Sequence, residues 1–150
     1  MKKSAKRVTA KNAAAKPTAS AGYSSASLPQ KLGIHASDRV GLVNAPKDFA
    51  ALLVPLPEGV RLLPSPRGET ELSLWFPRNL AELSRDIGRR AERIGVRGIW
   101  VCWPKKASGV PTDLDENRIR DAALAVGLVD IKVCAIDATY SGLKLTRRKA

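Results

Sequence analysis

From about residue 28 onward the apolar positions fall in short runs separated by turn residues. Arg39-Val40-Gly41-Leu42-Val43 follows a predicted turn over Gly33–Asp38, and Asn44-Ala45-Pro46 closes it. A short apolar run bounded this way predicts a buried parallel strand. Asp48 opens a predicted helix over Phe49–Leu53, which Pro55 and Pro57 stop. Gly59–Leu63 and Glu71–Phe76 read as the second and third strands, closed by Pro64-Ser65-Pro66 and by Pro77. The next segment changes period. Leu80, Leu83, Ile87, Ala91 and Ile94 form a helical stripe, with Arg85, Arg89, Arg90 and Arg93 on the solvated face and Gly95 or Gly98 as the stop.

Gly98–Trp103 is the fourth predicted strand, followed by a loop over Pro104–Pro111. Asp113 and Glu116 have capping-box spacing for a helix over Leu114–Val126, with Ile119, Ala122, Ala123 and Val126 inward and Gly127 as its C-cap. Val129–Ile136 is a fifth strand, Asp137–Gly142 a turn, and Leu143–Thr146 an antiparallel sixth. Strands alternating with helices predict an α/β domain over residues 27–148. Its sheet is mostly parallel with right-handed crossovers, and a C-terminal hairpin adds an antiparallel edge.

The charge divides the 150-residue chain differently. Residues 1–31 hold Lys2, Lys3, Lys6, Arg7, Lys11, Lys16 and Lys31 and no acid, within a chain of net charge +12. Ala, Ser and Thr dominate there, and the larger apolar groups are Val8, Tyr23 and Leu28. Such a segment cannot bury enough surface to offset the entropy of ordering, so residues 1–26 are expected to be a disordered basic tail. Lys2, Lys3, Lys6, Arg7, Lys11 and Lys16 could bind nucleic acid nonspecifically by counterion release; a solubilising role explains them equally well.

Hydrophobic residues at 44% supply a core, and no apolar run approaches the ~18 residues of a membrane span. Lys11 and Lys16 interrupt every candidate signal-peptide core. The expected location is therefore cytoplasmic, with Cys102 and Cys134 reduced. Two cysteines and one histidine exclude a disulfide scaffold, and no metal site is expected.

The run Leu32-Gly33-Ile34, then Asp38-Arg39-Val40 leading into the first strand, together with the closing β-α-β-hairpin, resembles a class I methyltransferase domain. That resemblance implies a Rossmann-like fold, a glycine turn after the first strand and an acid after the second to hold a ribose. The chain departs from both: Asn44-Ala45-Pro46-Lys47 follows the first strand, and Glu69 comes late after the second. No cofactor is expected. A second resemblance spans residues 22–148. Gly22-Tyr23-Ser24, Asn44-Ala45-Pro46, Trp103-Pro104-Lys105-Lys106-Ala107-Ser108-Gly109 and Gly127–Asp137, with Ser141-Gly142-Leu143-Lys144, are similar to a small bacterial family of unknown function. It implies a domain boundary and no reaction.

Ligands of open α/β sheets bind beyond the carboxyl ends of the strands. The loops there carry Asn44, Lys47, Arg78, Asn79, Lys105, Lys106, Ser108 and Gly109. This is cationic and amide chemistry suited to phosphate or carboxylate. The candidate ligand-binding residues are Asn44, Lys47, Lys105, Lys106, Ser108 and Gly109. His35 precedes the first strand, at the other edge, so no nucleophile–base pair with Ser108 is expected. Cys102, Cys134 and the three tryptophans read as core. The sequence thus points to a domain without catalysis that binds an anionic small molecule or partner. A nucleic-acid-associated protein acting through the tail and a methyltransferase with a divergent cofactor turn are the alternatives.

Overall fold

The computed structural model describes residues 26–64 and 68–148. Residues 1–25, which include Lys2, Lys3, Lys6, Arg7, Lys11 and Lys16 and nearly all of the expected tail, lie outside the described residues. The fold is mixed α/β. Its elements are α1 (Leu28–Leu32), β1 (Arg39–Val43), β2 (Arg61–Pro64), β3 (Leu72–Trp75), α2 (Leu80–Glu92), β4 (Ile99–Pro104), α3 (Glu116–Ala125), β5 (Leu128–Ala135) and β6 (Tyr140–Arg147), with 3-10 turns at Phe49–Leu53 and Lys106–Ser108. The sheet order is β2-β1-β3-β4-β6-β5. β1 pairs in parallel with both β2 and β3, and β3 with β4, while β6 runs antiparallel to β4 and β5.

Alternation along the central strands builds two cores, one on each face of the sheet. On the first face Val43, Trp75, Val101, Trp103, Leu143 and Leu145 pack against Leu83, Ile87 and Ala91 of α2 and Ile119 and Ala123 of α3. On the second, Val40, Leu42, Leu72, Leu74, Trp100 and Cys102 pack against Leu32 of α1 and Phe49 and Leu53 of the first 3-10 turn. All three tryptophans and both cysteines are buried, and burial pushes both thiols up from their ordinary range.

Several expectations need correction. Residues 28–32 form a helix whose Ser27 and Gln30 make a reciprocal capping box, where no element was expected. The segment Phe49–Leu53 is a 3-10 turn, and Asp48 makes no side-chain cap, because prolines on either side leave room for only one turn. The N-cap of α3 is Asp115, which accepts from Arg118 N–H at 2.8 Å. Asp113 instead accepts from Leu80 N–H at 2.8 Å and joins the starts of the two long helices. Arg90 belongs to the half-buried side of α2, with its guanidinium 5.4 Å from the Trp75 ring centroid. The last strand begins at Tyr140, two residues before the predicted turn ends. It lies between β4 and β5, so the hairpin makes β5 the edge.

Candidate functional site at the carboxyl edge

The chain leaves β1 for β2 on one side and returns to β3 on the other. The connections from the carboxyl ends of β1 and β3 therefore diverge, which makes this a topological switch point, the position where open α/β sheets take ligands. Asn44 follows β1 with φ of 59°, in the left-handed region that asparagine tolerates better than most residues. Its Nδ2 donates to Glu82 Oε2 at 2.8 Å, and its Oδ1 accepts from Arg78 Nη2 at 3.4 Å. Glu82 is buried in the first turn of α2, within reach of Arg78 N–H at 3.4 Å and Arg78 Nη1 at 3.7 Å. Sequence reasoning misses Glu82, because a glutamate three residues after Asn79 reads as helix capping. Asn79 does cap the helix, accepting from Glu82 N–H at 2.8 Å.

A second cluster follows β4. Lys105 N–H donates to Thr139 O at 2.7 Å, which fastens the loop to the β5–β6 turn. Asp137 shapes that turn by accepting from Thr139 and Tyr140 N–H at 2.8 and 2.7 Å. Ser108 Oγ donates to Lys105 O at 2.6 Å and accepts from Val110 N–H at 3.2 Å. Gly109 is left-handed, with φ of 78°, and its N–H closes on Lys106 O at 3.2 Å. Ser108 and Gly109 are thus committed to the loop's own geometry. Lys105 is half-buried there, and Lys106 is exposed. Lys47, after β1, is also exposed. Lys47, Lys105 and Lys106 form no ion pair among the described residues; the ion-paired cations there are all arginines.

The structure therefore brings Lys105, Lys106, Ser108 and Gly109 into one loop. Asn44 and Lys47 follow β1, two strand spacings away, or about 9–10 Å across the sheet. His35 lies at the opposite edge, with its Nδ1 2.9 Å from Gly33 O. A cleft of about 530 Å³ at that amino edge is lined by Arg39, Glu69, Glu71, Glu92, Arg93 and Gly95 among others. No local sequence signal marks it, because its walls come from loops that meet only in the fold. At its floor Glu71 Oε1 accepts from Arg39 N–H and Nε at 2.6 and 3.2 Å, and Oε2 from Nη2 at 2.6 Å. Glu69 lines this cleft, at the edge opposite the carboxyl ends where a ribose-binding acid belongs.

Among the described residues no group of three or more His, Cys, Asp and Glu could hold a metal ion, and no helix is long and apolar enough to cross a membrane. No family model and no curated protein matches the chain. A solved structure of a LepI variant in complex with SAH and a substrate analogue is similar at 12% identity and a TM-score of 0.47, over 81% of this chain and 39% of that one.

Proposed function

We propose that this chain is a Rossmann-like, methyltransferase-like domain that binds an anionic small ligand at the carboxyl edge of its sheet, without catalysis. The observation that supports the reading is the topological switch point between β1 and β3, with Lys47, Lys105 and Lys106 lacking carboxylate partners on the loops at that edge. Asn44, Arg78 and Glu82 join the carboxyl ends of β1 and β3, and Lys105 and Lys106 stand on the loop after β4. The span suits a ligand with an anionic group at one end and hydrogen-bonding atoms at the other. Lysine ammonium groups would meet that anion as mobile point charges.

Thermal unfolding with inorganic phosphate, pyrophosphate and ATP tests the reading. A ligand at about 100 times its dissociation constant adds about 2.7 kcal/mol, enough to raise the midpoint by several degrees. Lys105→Ala/Lys106→Ala should abolish that rise and leave the unliganded midpoint in place. An equal rise in this variant and the parent overturns the proposal.

A further inference from the structure

On the face of the sheet that carries α1, the last two strands set lysine against lysine. Lys132 of β5 and Lys144 of β6 are direct partners in the antiparallel register. Like charges opposite one another on neighbouring strands are destabilising. Lys31 of α1 lies over the same place, because Lys132 Nζ donates to the Lys31 carbonyl at 3.1 Å. Lys144 Nζ stands 5.7 Å from the Trp100 ring centroid and packs so close to Gly33 that a Cβ there would be 2.9 Å from it. Burial first, then Lys132 and Arg97, push the Lys144 ammonium below its ordinary pKa. Arg97 has a counter-ion in Asp38, at 2.8 Å. Among the described residues the three lysines have none.

Two of these cations have a contact within the fold: Lys132 meets a carbonyl at the C-terminal turn of α1, where positive charge is favourable, and Lys144 stands over the Trp100 ring, but neither contact supplies a negative charge. Three together exceed what those contacts call for. We infer that Lys31, Lys132 and Lys144 form a contact surface for the phosphodiester backbone of nucleic acid. The surface favours a polymer over a small phosphate for two reasons. Lys132 is exposed on an edge strand, outside any enclosed pocket. Lys31 is also the last of the seven basic residues that the acid-free sequence 1–31 carries. A track of that kind matches phosphates in series and releases their counterions. It lies on a different part of the domain from the carboxyl-edge loops and stands or falls separately.

The test is fluorescence anisotropy of the full chain with a labelled mixed-sequence duplex of about 20 base pairs, between about 50 and 200 mM salt. Lys132→Ala/Lys144→Ala should lower the slope of log affinity against log salt by about two and weaken binding about tenfold or more at the lower salt. Lys105→Ala/Lys106→Ala should change neither. Melting curves check the fold, and Lys31→Ala/Lys132→Ala, which leaves Lys144 on Trp100, is the second variant and should also lower the slope by about two. Parental affinity and slope in both Lys132 variants overturn the inference. So does loss of pyrophosphate binding with duplex binding intact, since that assigns the surface to a small phosphate.

Discussion

The indole Nε1 of Trp100, near the start of β4, donates a 2.9 Å hydrogen bond to the main-chain carbonyl of Leu32 at the end of α1. Both residues are 0% exposed. The bond crosses from the central sheet to the first helix and satisfies a carbonyl that a helix end would otherwise leave orphaned. Trp100→Phe keeps most of the ring's packing and removes the donor. It should destabilise the fold by about 1–3 kcal/mol, the usual penalty for a buried group left without its partner. Urea unfolding should show a lower midpoint at unchanged slope; a parental midpoint would mean that water replaces the indole.

The same contact ties α1 to the sheet. Deleting residues 1–21 should leave the melting midpoint within about 2 °C, because a sequence so basic and so poor in large apolar groups has little surface to bury. Deleting residues 1–34 also removes Leu32 and Ile34, at 0% and 5% exposure, and should cost several times more, about 3 kcal/mol or beyond. Differential scanning calorimetry on the two truncations separates them, and equal midpoints would show that α1 contributes nothing.

Gly95 and Gly68 line one cleft but differ in tolerance. A Cβ on Gly95 would lie 2.0 Å from Thr70 O and 2.6 Å from Glu71 O, both main-chain atoms, whereas one on Gly68 meets nothing within 4 Å. Gly95→Ala must push apart the α2–β4 loop and the entry to β3, at a cost of about 1–3 kcal/mol or more. Gly68→Ala should stay within about 0.5 kcal/mol of the parent. Paired denaturation curves read the contrast directly.

Hydrogen bonds from the Arg39 side chain, then from its main chain, hold the Glu71 carboxyl down to about 2, against an ordinary 4.5. A carboxyl lowered on folding contributes stability above its unfolded pKa and loses it as pH falls toward the folded one. The Arg39–Glu71 contribution should therefore be complete above about pH 5 and fade between pH 4.5 and about 2. Glu71→Gln should be less stable than the parent by about 1–2 kcal/mol at pH 7, and the gap should close on acidification through that window. A gap independent of pH would assign the effect to packing.

S-adenosylmethionine should not bind tightly. Pro46 donates no hydrogen bond and Ala45 before it is pushed toward extended backbone, where the resembled fold has a glycine turn. The Asn44 amide is already engaged by Glu82 and Arg78, and Glu69 lies at the other edge of the sheet. Ribose hydroxyls left without a carboxylate cost about 1–3 kcal/mol. Calorimetric titration should give a dissociation constant weaker than about 10 μM. A tighter value lost in Asn44→Ala would instead make the carboxyl edge a methyltransferase cofactor site.

The sequence by itself determined the elements whose signals are local. Proline punctuation marked β1 through β3, the 3.6-residue stripe marked α2, and Gly127 marked the end of α3. It also placed Asn44 and the Lys105–Gly109 loop after strands, because a strand's end and the loop after it are adjacent in the chain. What only the tertiary structure decided are relations between distant segments. The run of Leu128–Ala135 reads as more apolar than Tyr140–Arg147, yet it is the edge strand, with Ile131 and Val133 at 57% and 48% exposure. The reason is pairing: β6 fits between β4 and β5 because Gly142 leaves room for Trp100 and Ile136, whose atoms would lie 3.0 and 3.1 Å from a Cβ there. The cap of α3 moved from Asp113 to Asp115 because Asp113 found an amide 33 residues away. The buried Glu82, the cleft over Arg39 and Glu71, and the facing lysines of β5 and β6 likewise depend on which strands become neighbours. Periodicity sets which side of a strand is apolar; which partner that side meets is settled by packing across the whole sheet.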